Sequence, residues 1–437
     1  MKEIYFKNLK EYLGKEIVIE GFLDNLRNLQ YVQFLVLRDT TGKVQITIEK
    51  KEENAKLNEI VNGLTLESTL KVKGVLLENE KVKLNGMELI PTEIIVTSRS
   101  DEELPLNYKD SKSALLDTRL NYRFLDLRNE KNLLMFKVQT CLFNTMRDFL
   151  VNQNFIEIHT PKIIGTASES GAEVFELDYF GRKAYLAQSP QFYKQMAMCS
   201  GFERVFEIAP AFRSEKSNSY RHATDFTSFD VEISYMETVD ELISFEEDML
   251  IAGLTAVKEK FGEEIKRLFN VEVVVPTKPF PRIKLEELYE ILEKEYGFVM
   301  NYEDVGDMNS ESEKLASKYI KEKYGHEFVY VTDFSAKKRA FYHKRENGVP
   351  QGCDLLWKGC EITTLALREH RYELLAKQAQ EKGLKEDVKF YLEFFKYGCP
   401  PHGGFGIGVD RITMLLLETG SLKETMYIFR GPSRIEP

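Results

Sequence analysis

The chain has 437 residues, enough for two or three domains with a large core. Its hydrophobic fraction of 43% and charged fraction of 30% are typical of a soluble globular protein, and no apolar run approaches the roughly 20 residues that a membrane-spanning helix needs. The formal net charge of −10 argues against nonspecific coating of nucleic acid but does not exclude a local basic patch.

The amino-terminal segment MKEIYFKNLKEYLGKE is charged throughout and lacks a signal-peptide core, so we expect a cytoplasmic protein. The five cysteines are scattered and form no CxxC pair, which predicts neither a disulfide framework nor a zinc ribbon. The six histidines also lack metal-ligand spacing.

The first 98 residues predict a small β-barrel. Strand-rich segments occur at 16–23, 31–38, 42–49, 69–76 and 87–98, and a helical segment at 53–64 separates the third from the fourth. Three strands, a helix and two further strands is the order of an OB-fold, whose open face binds oligonucleotides. Phe34 and Gln45 would lie on neighbouring strands, as a stacking ring and a reader of base edges. The alternative places Phe34 in the core and leaves Gln45 as an ordinary outward polar residue.

A polar segment at 99–112 predicts a linker, and residues 113–437 predict an α+β domain with an antiparallel sheet flanked by helices. Helical apolar spacing occurs at 132–153 and 245–262, and YLAQSPQFYKQMAM predicts a strand that becomes a helix near Pro190. The glycine-rich end GGFGIGVDRI is not a P-loop, because no Gly-Lys-Ser/Thr follows, and no βαβ unit surrounds it. Phosphate groups would therefore be held by arginine side chains.

The segment 212–235, FRSEKSNSYRHATDFTSFDVEISY, predicts a strand–loop–strand hairpin. Residues two apart on a strand point the same way, so Arg213 and Glu215 would enter one cavity, with Arg221 and His222 above its mouth. A planar cation for phosphate, a carboxylate for an amino-purine and a nearby aromatic ring suit a nucleotide. The alternative is a hairpin with surface ion pairs.

Further candidates lie beyond the hairpin and before it. Asp354 and Glu361 flank the reversal LLWKGC, and two convergent carboxylates suit Mg²⁺ completed by water and substrate phosphates. Lys194 and Arg368 could bracket an anionic group, and Arg411 follows the glycine-rich strand. The alternatives are a solvated acidic pair and ordinary surface cations.

Taken in order, these segments resemble class II aminoacyl-tRNA synthetases of the aspartate/asparagine/lysine subgroup, most closely the archaeal and eukaryotic aspartyl type. The segments LDTRLNYRFLDLR and IHTPKI resemble the entry to the catalytic domain and the first class motif. The hairpin segment resembles the second class motif, and GGFGIGVDRI resembles the third. AYLAQSPQFYKQ resembles the amino-acid-binding segment. The likeness covers nearly the full length. It implies an anticodon-binding OB-fold at 1–98, a hinge at 99–112 and a class II catalytic domain at 113–437.

The resemblance also implies ligands and the residues that bind them. ATP would be bound by Arg213, Glu215, Arg221, His222, Phe226, Glu361 and Arg411, of which Arg213, Arg411 and Glu361 are also catalytic. L-Aspartate would be bound by Glu169, Ser189, Gln191, Lys194, Asp230, Thr364 and Arg368. Mg²⁺ would be held by Asp354 and Glu361. The tRNA anticodon would be contacted by Arg27, Phe34, Gln45 and Glu88. A homodimer through the first class motif is expected.

The chemistry implied is attack by a carboxylate on the α-phosphorus of ATP, followed by transfer of the aminoacyl group to tRNA. No nucleophilic side chain is required, because positioning and charge neutralisation carry the catalysis. Arg213 would bind the α-phosphate and Glu215 the adenine amino group, with Phe226 and Arg411 on the two faces of the base. Lys194 with Arg368 would reject the neutral amide asparagine, which leaves fixed cations unpaired.

The chain departs from the family pattern after Glu361. The run Ile362–Ala366 reads ITTLA where ISSGG is usual, so Leu365 and Ala366 replace two glycines beside the substrate, which we expect to narrow the pocket or alter the backbone. Asp24 occupies a barrel position that is often aromatic in strict enzymes, which favours charging of both tRNA-Asp and tRNA-Asn. Three functions stay open: an aspartate–tRNA ligase, a paralogue with the same adenylation chemistry on another amino acid or acceptor, and a non-catalytic RNA-binding relative.

Overall fold

The computed structural model describes residues 2–110, 113–167, 174–217 and 219–436. The chain divides into two units, Met1–Ala114 and Leu115–Pro437. None of the described helices is long and apolar enough to cross a membrane.

The first unit is an OB-fold barrel. Its elements are β1 (Glu16–Asn28), β2 (Val32–Arg38), β3 (Lys43–Glu49), α1 (Ala55–Asn62), β4 (Thr69–Glu78) and β5 (Met87–Ser98), with short 3-10 helices at Phe6–Tyr12 and Glu52–Asn54. The strands close in the order β1-β2-β3-β5-β4, which confirms the predicted fold. Alternate residues point inwards, so Leu35 and Leu37 of β2 are fully buried. Asp39 fixes the β2–β3 turn by accepting hydrogen bonds from the backbone N–H groups of Thr41 (2.7 Å) and Gly42 (2.9 Å).

The predicted linker is packed against the barrel over its described part. Leu106 and Tyr108 are buried, and the Tyr108 hydroxyl donates to Glu67 at 2.5 Å. Lys109 forms an ion pair with Asp24 at 3.2 Å. The segment therefore belongs structurally to the first unit, although its composition predicted a solvated connection.

The described part of the second unit is built on an eight-stranded sheet in the order β12-β13-β16-β17-β18-β11-β10-β6. Neighbours are antiparallel except for the parallel pairs β6–β10 and β12–β13. A three-stranded sheet has the order β7-β9-β8, and β14 pairs with β15. The strands are β6 (Ile156–Glu157), β7 (Ile163–Ile164), β8 (Glu176–Tyr179), β9 (Arg182–Leu186), β10 (Arg204–Phe212), β11 (Asp225–Ser234), β12 (Arg282–Lys284), β13 (Phe328–Thr332), β14 (Arg345–Glu346), β15 (Val349–Pro350), β16 (Gly352–Trp357), β17 (Cys360–Arg368) and β18 (His402–Gly408).

Helices flank the large sheet, as predicted. They are α2 (Leu116–Asn121), α3 (Arg123–Asp126), α4 (Glu130–Val151), α5 (Gln191–Cys199), α6 (Val239–Phe269), α7 (Leu285–Tyr296), α8 (Ser310–Tyr324), α9 (Tyr372–Glu381), α10 (Lys389–Phe394), α11 (Val409–Leu417) and α12 (Leu422–Thr425), with a 3-10 turn at Phe395–Tyr397. Side chains from α4, α6 and α11 form the main core with residues of the sheet. Gly253 lets α6 approach α4, because a Cβ there would lie 2.8 Å from Leu142.

The hairpin of the second motif forms between β10 and β11, but its first strand is shorter than predicted. The strand ends at Phe212, so Arg213 and Glu215 lie in irregular backbone immediately beyond it. The Arg213 N–H still donates to Thr224 at 2.8 Å, which keeps the start of the loop paired with the start of β11. Glu215 lies beyond this bond, and the strict alternation assumed for the two side chains is wrong.

Candidate active site

One cavity of about 320 Å³ collects most of the predicted residues of the second unit. Twelve of them line it: Ser189, Gln191, Arg213, Glu215, Arg221, His222, Phe226, Asp230, Glu361, Thr364, Arg368 and Arg411. Lys194 and Asp354 are buried beside the cavity and are not on its wall. Glu169 lies outside the described residues.

The cavity is rich in cations although the whole chain has a net charge of −10. Its lining includes six cationic side chains, Arg213, Arg221, Lys338, Arg339, Arg368 and Arg411, and four carboxylates, Glu215, Asp230, Glu361 and Asp410. This excess of positive charge suits a polyanionic ligand.

Arg213 has a cationic group without a bound carboxylate among the described residues. Its guanidinium lies 5.4 Å from the centre of the Phe226 ring, and its buried Nε has no hydrogen-bond partner. A buried donor without a partner costs free energy, on the order of 1–3 kcal/mol. The side chain is therefore available to an incoming anion.

Arg411, in the first turn of α11, is held by backbone oxygens. Its Nη1 donates to the carbonyl of Glu361 at 2.9 Å, and its Nη2 lies 3.5 Å from the carbonyl of Arg221. Neutral partners fix the guanidinium without cancelling its charge. Arg411 and Arg213 therefore both present full positive charge to the same cavity.

The loop residues Arg221 and His222 are fixed by neighbouring polar groups. Arg221 forms an ion pair with Glu313 of α8, and the same carboxylate accepts the backbone N–H of Glu361 at 3.0 Å. The Nδ1 of His222 lies 2.5 Å from the Ser219 hydroxyl. Burial and the nearby Arg411 lower the pKa of His222, so its imidazole is neutral at pH 7.

Asp354 and Glu361 lie on β16 and β17, as the predicted reversal requires. They are not cross-strand partners: Asp354 is opposite Thr364, and the Thr364 hydroxyl donates to Glu361 at 2.9 Å. Burial raises the pKa of Asp354 to about 7, and the Glu361 carboxylate adds to this. For Glu361 burial acts in the same direction, but Arg411 and Arg339 outweigh it and lower its pKa.

One oxygen of the Asp354 carboxylate is placed so that it could bind a divalent ion together with Glu361. The Oδ1 atom of Asp354 is buried without a hydrogen-bond partner, whereas Arg339 forms an ion pair with Oδ2. Arg339 also lies 3.6 Å from the centre of the Phe334 ring, which restrains its guanidinium. No group of three or more His, Cys, Asp or Glu side chains within the described ranges is arranged to hold a metal. Two carboxylates would therefore need oxygens from a ligand to complete an octahedral Mg²⁺ shell.

The opposite end of the cavity is built on buried ion pairs. Glu232 is fully buried and binds Arg368 (Nε–Oε1 3.0 Å) and Lys194 (Nζ–Oε2 3.3 Å). Lys194 also pairs with Asp230 at 3.0 Å, and it is only 2% exposed. Burial acts to raise the pKa of Glu232, but Arg368 and Lys194 outweigh it and hold that pKa below its ordinary value.

The glycines of β18 make room for these carboxylates. A Cβ at residue 404 would lie 2.2 Å from Oε2 of Glu232, and one at residue 406 would lie 3.0 Å from Oδ1 of Asp230. The glycines of β18 are therefore explained by the close packing of β11 side chains against this strand. A phosphate-binding loop is not needed to account for them.

Gln191 and Ser189 line the cavity at the start of α5. The Gln191 backbone N–H donates to the Ser189 hydroxyl at 3.2 Å, and its side-chain amide donates to Gln195 at 2.8 Å. Gln195 in turn contacts His402 (2.9 Å) and accepts from the Tyr391 hydroxyl (2.8 Å). A buried polar network therefore supports the wall from behind.

The two residues that replace the family glycines do not narrow the cavity. Leu365 is fully buried in the main core on the opposite face of β17. Ala366 shares its face with Thr364 and Arg368 but pairs with Gly404 and does not line the cavity. The expectation of a smaller pocket is wrong, because strand alternation directs Leu365 away from it, and the alternative of an altered backbone stays a prediction.

The predicted anticodon residues lie on four strands of the barrel. Arg27 (β1) is opposite Phe34 (β2), with its guanidinium 5.8 Å from the ring centre, and Gln45 (β3) is beside Glu88 (β5). Phe34 is half-buried and outside the barrel core, so the alternative that it is a core residue is wrong. Glu88 accepts from Asn79 at 2.6 Å and also from the Thr47 hydroxyl.

Among the residues missed from the sequence, three hold predicted site residues in place, namely Arg339, Glu313 and Glu232. Arg339 lies in a loop without a recognisable pattern, and Glu313 appears only as one acid in an amphipathic helix. For Glu232 a signal existed, because it shares a strand face with Asp230, but no partner could be assigned to it. Each contacts a predicted residue that is at least 15 positions away in the chain, and such distant contacts are not visible in local sequence.

Comparison with known proteins agrees with this architecture. Residues 116–429 match the family model "tRNA synthetases class II (D, K and N)", and residues 17–97 match the "OB-fold nucleic acid binding domain" model. The chain is 38% identical over 432 residues to the aspartate–tRNA(Asp) ligase of Pyrococcus furiosus, covering 98% of both chains.

Two further relatives show the range of specificity in this group. The aspartate–tRNA(Asp/Asn) ligase of Methanopyrus kandleri is 39% identical over 426 residues, covering 97% of this chain and 96% of its own. The crystal structure of asparaginyl-tRNA synthetase from Pyrococcus horikoshii with asparaginyl-adenylate superposes with a TM-score of 0.90 at 27% identity, covering 100% of both chains. With the class II model matching well over half of the chain, this protein belongs to the class II tRNA synthetases of the D, K and N group, and the two full-length relatives named above at 38% and 39% identity are aspartate–tRNA ligases.

Proposed function

We propose that the protein activates L-aspartate with ATP, releasing pyrophosphate, and transfers the aspartyl group to the terminal ribose of tRNA. The observation that supports this most directly is that Arg213, Arg368 and Arg411 line one cavity. Among the described residues, Arg213 and Arg411 have no carboxylate partner, whereas Arg368 forms an ion pair with Glu232. A triphosphate and an acidic amino acid can therefore occupy adjacent ends.

At the nucleotide end, Arg213 would bind the α-phosphate and Glu215 the adenine amino group. Phe226 would stack on one face of the adenine, and Arg411 would cover the other face and reach the γ-phosphate. His222 would donate to the phosphates as a neutral imidazole, in keeping with its lowered pKa. Arg221 is fixed by Glu313 at the mouth of the site.

Asp354 and Glu361 would hold Mg²⁺. The ion, when bound, would neutralise negative charge on the phosphate groups. Arg339 keeps one oxygen of Asp354 occupied, so the other oxygen, which has no hydrogen-bond partner, is the one that remains to coordinate. Thr364 orients Glu361 through its hydroxyl.

At the amino-acid end, Asp230 with Ser189 and Gln191 would receive the α-ammonium group, and Arg368 would bind the side-chain carboxylate. The Arg368 guanidinium uses Nε and Nη2 for Glu232 and Gly404, which leaves Nη1 for a ligand. Lys194 would act from beneath, as a buried positive charge next to Asp230. Asparagine would leave Arg368 facing a neutral amide, which favours aspartate. Glu169 would help to close the site.

No nucleophilic side chain is needed, because the aspartate α-carboxylate attacks the α-phosphorus directly. The chain supplies orientation and fixed positive charge where negative charge increases in the transition state. The barrel would bind the anticodon through Arg27, Phe34, Gln45 and Glu88. We also propose a homodimer through the segment around IHTPKI and a cytoplasmic location.

ATP–pyrophosphate exchange with aspartate, asparagine, lysine and glutamate tests the activation step. We expect exchange with aspartate alone. Exchange only with another amino acid would overturn the aspartate assignment, and exchange with none would support a non-catalytic relative. Heat-denatured protein serves as the blank.

The acceptor is tested separately with purified tRNA-Asp and tRNA-Asn. We propose that both are charged, since Asp24 is held by Lys43 (2.8 Å) and Arg38 (3.3 Å) and offers no aromatic ring to an anticodon base. A strong preference for tRNA-Asp would contradict this. An anticodon-swapped transcript pair is the matched control.

A further inference from the structure

His343 is a cavity residue with an unpaired ring nitrogen, and it was not predicted from the sequence. It lines the cavity, it is only 4% exposed, and its Nδ1 atom is buried without a hydrogen-bond partner among the described residues. An unpaired polar atom inside a protein costs free energy, so its presence at a binding cavity calls for an explanation. The contacts proposed above for ATP and aspartate do not include this imidazole.

The backbone places His343 directly beside Arg368. The two residues form an antiparallel bridge, and the N–H of Lys344 donates to the carbonyl of Leu367 at 2.9 Å next to it. Directly opposed residues of an antiparallel pair project their side chains to the same side. His343 and Arg368 both line the cavity, so the imidazole lies at the amino-acid end.

The segment that carries His343 is held in place by α9. The side-chain amide of Gln378, a buried residue of this helix, donates to the carbonyls of Phe341 (2.5 Å) and His343 (3.0 Å). The centre of the Tyr342 ring lies 5.4 Å from that of the His343 ring and 5.5 Å from the Arg368 guanidinium. The imidazole and the guanidinium therefore have fixed surroundings in common, as a contact that selects a substrate requires.

These surroundings also indicate which ring nitrogen carries the proton. Burial and the charge of Arg368 lower the pKa of His343 well below its usual value, so the ring is neutral at pH 7 and has one N–H group. A proton on Nδ1 would be a buried donor without an acceptor. The proton therefore belongs on Nε2, which is the remaining polar atom of the ring.

We propose that His343 determines specificity at the amino-acid end by donating a hydrogen bond from Nε2 to the side-chain carboxylate of bound aspartate, beside the bond from Arg368. This inference rests on the proposed function. Nη1 of Arg368 and Nε2 of His343 are both donors, and a carboxylate offers one oxygen to each of them. An amide has one oxygen and an NH₂ group, so asparagine would turn a donor towards a donor.

His343→Leu removes the donor and leaves an apolar side chain in its place. In ATP–pyrophosphate exchange we expect the KM for aspartate to rise ~10-fold or more, while kcat and the KM for ATP change less than ~3-fold, because one hydrogen bond to a charged group is lost. The affinity for asparagine, measured as a substrate or as a competitive inhibitor, should change less than ~2-fold. Isothermal titration with aspartate provides a readout that does not depend on turnover.

His343→Gln and His343→Asn separate the two ring nitrogens. The Gln amide reaches nearly as far as Nε2 and the Asn amide only as far as Nδ1, so His343→Gln alone should keep the aspartate KM within ~3-fold of the wild type. Lys344→Gln is the matched control. Lys344 pairs with Glu346 at 2.8 Å and does not line the cavity, so this variant should behave as the wild type does.

An unchanged aspartate KM in His343→Leu would overturn the proposal, and so would equal losses for aspartate and asparagine. If His343→Leu fails to fold, the contrast between Gln and Asn decides, and equal activity of these two variants would also overturn it. Wild-type protein that exchanges no amino acid would instead refute the proposed function, and titration with aspartate would still report on His343.

Discussion

At the end of the cavity near Phe226, Arg213 and Arg411 contact an aromatic ring and backbone carbonyl groups. At the other end, Lys194 and Arg368 contact buried carboxylates. The first arrangement holds cations without neutralising them, and the second fixes cations within a nearly neutral network. A site that, as we propose, binds ATP and distinguishes aspartate from its amide needs both arrangements.

The two ends of the cavity should also respond differently when a cation is removed. Removing a cation at the nucleotide end should weaken charge stabilisation with little effect on the fold. Removing one at the amino-acid end leaves buried carboxylates without partners, which costs several kcal/mol and changes the positions of the neighbours.

The largest effect is expected for Lys194→Leu. Loss of this ammonium leaves Asp230 and Glu232 with one cation fewer, so we expect aspartate-dependent exchange to fall by at least ~10³-fold. ATP binding, measured by isothermal titration, should change less than ~2-fold because the nucleotide end is separate. Equal loss of both would show a structural role instead. Lys183→Leu, on an exposed strand, is the control.

Arg213→Ala should lower kcat for exchange by ~10²- to 10³-fold, in the range found for removal of one transition-state donor. The KM for aspartate should stay within about 2-fold, since Arg213 does not contact the amino-acid end. An unfolding temperature close to that of the wild type is expected. A large rise in the aspartate KM would break the separation between the two ends. Arg182→Ala is the matched control.

Arg339→Gln should raise the Mg²⁺ concentration needed for half-maximal exchange by ~10-fold, because Arg339 forms an ion pair with Asp354, whose carboxylate we propose holds the ion. Binding of Mn²⁺ followed by electron paramagnetic resonance provides a readout independent of turnover. Lys337→Gln, exposed in the same loop, should leave the requirement unchanged. An unchanged requirement in Arg339→Gln would remove the positioning role.

The smallest effect concerns stability. Burial raises the pKa of Glu246 to about 8, whereas the pKa of a glutamate in an unfolded chain is about 4.3. The folded state therefore holds a proton that the unfolded state loses, so this group's contribution to stability is full below pH ~4.3, falls as pH rises towards 8 and is flat above it.

Glu246→Gln should remove this dependence and raise the unfolding temperature by ~2–4 °C per kcal/mol gained at pH 8.5, with almost no change at pH 4.5. Differential scanning calorimetry of the catalytic unit's transition is the measurement. Glu259→Gln, exposed on the same helix, is the control. A gain that is equal at both pH values would show that the carboxyl group does not titrate as described.

Prediction from sequence succeeded where local pattern decides the structure. The barrel strands alternate, α6 (Val239–Phe269) has regular apolar spacing, and the polar loop between two apolar strands indicated the hairpin. Roles assigned to site residues, by contrast, came from resemblance and stay predictions.

What could not be predicted depends on distant partners. The position of Lys194 below the cavity follows from Asp230 and Glu232, and the burial of Leu365 follows from the phase of β17 relative to the core. The end of β10 at Phe212 depends on pairing with β11. No local pattern encodes contacts across more than 30 positions.

Glu313 of α8 links two segments of the cavity wall. Its single carboxylate binds Arg221 in the hairpin loop and accepts the backbone N–H of Glu361 in β17. Helix α8 is therefore a common anchor for two parts of the site that are far apart in the chain. A ligand or crystal contact that shifts this helix would displace the loop and the strand together, so the two parts of the cavity wall that they form should change in concert.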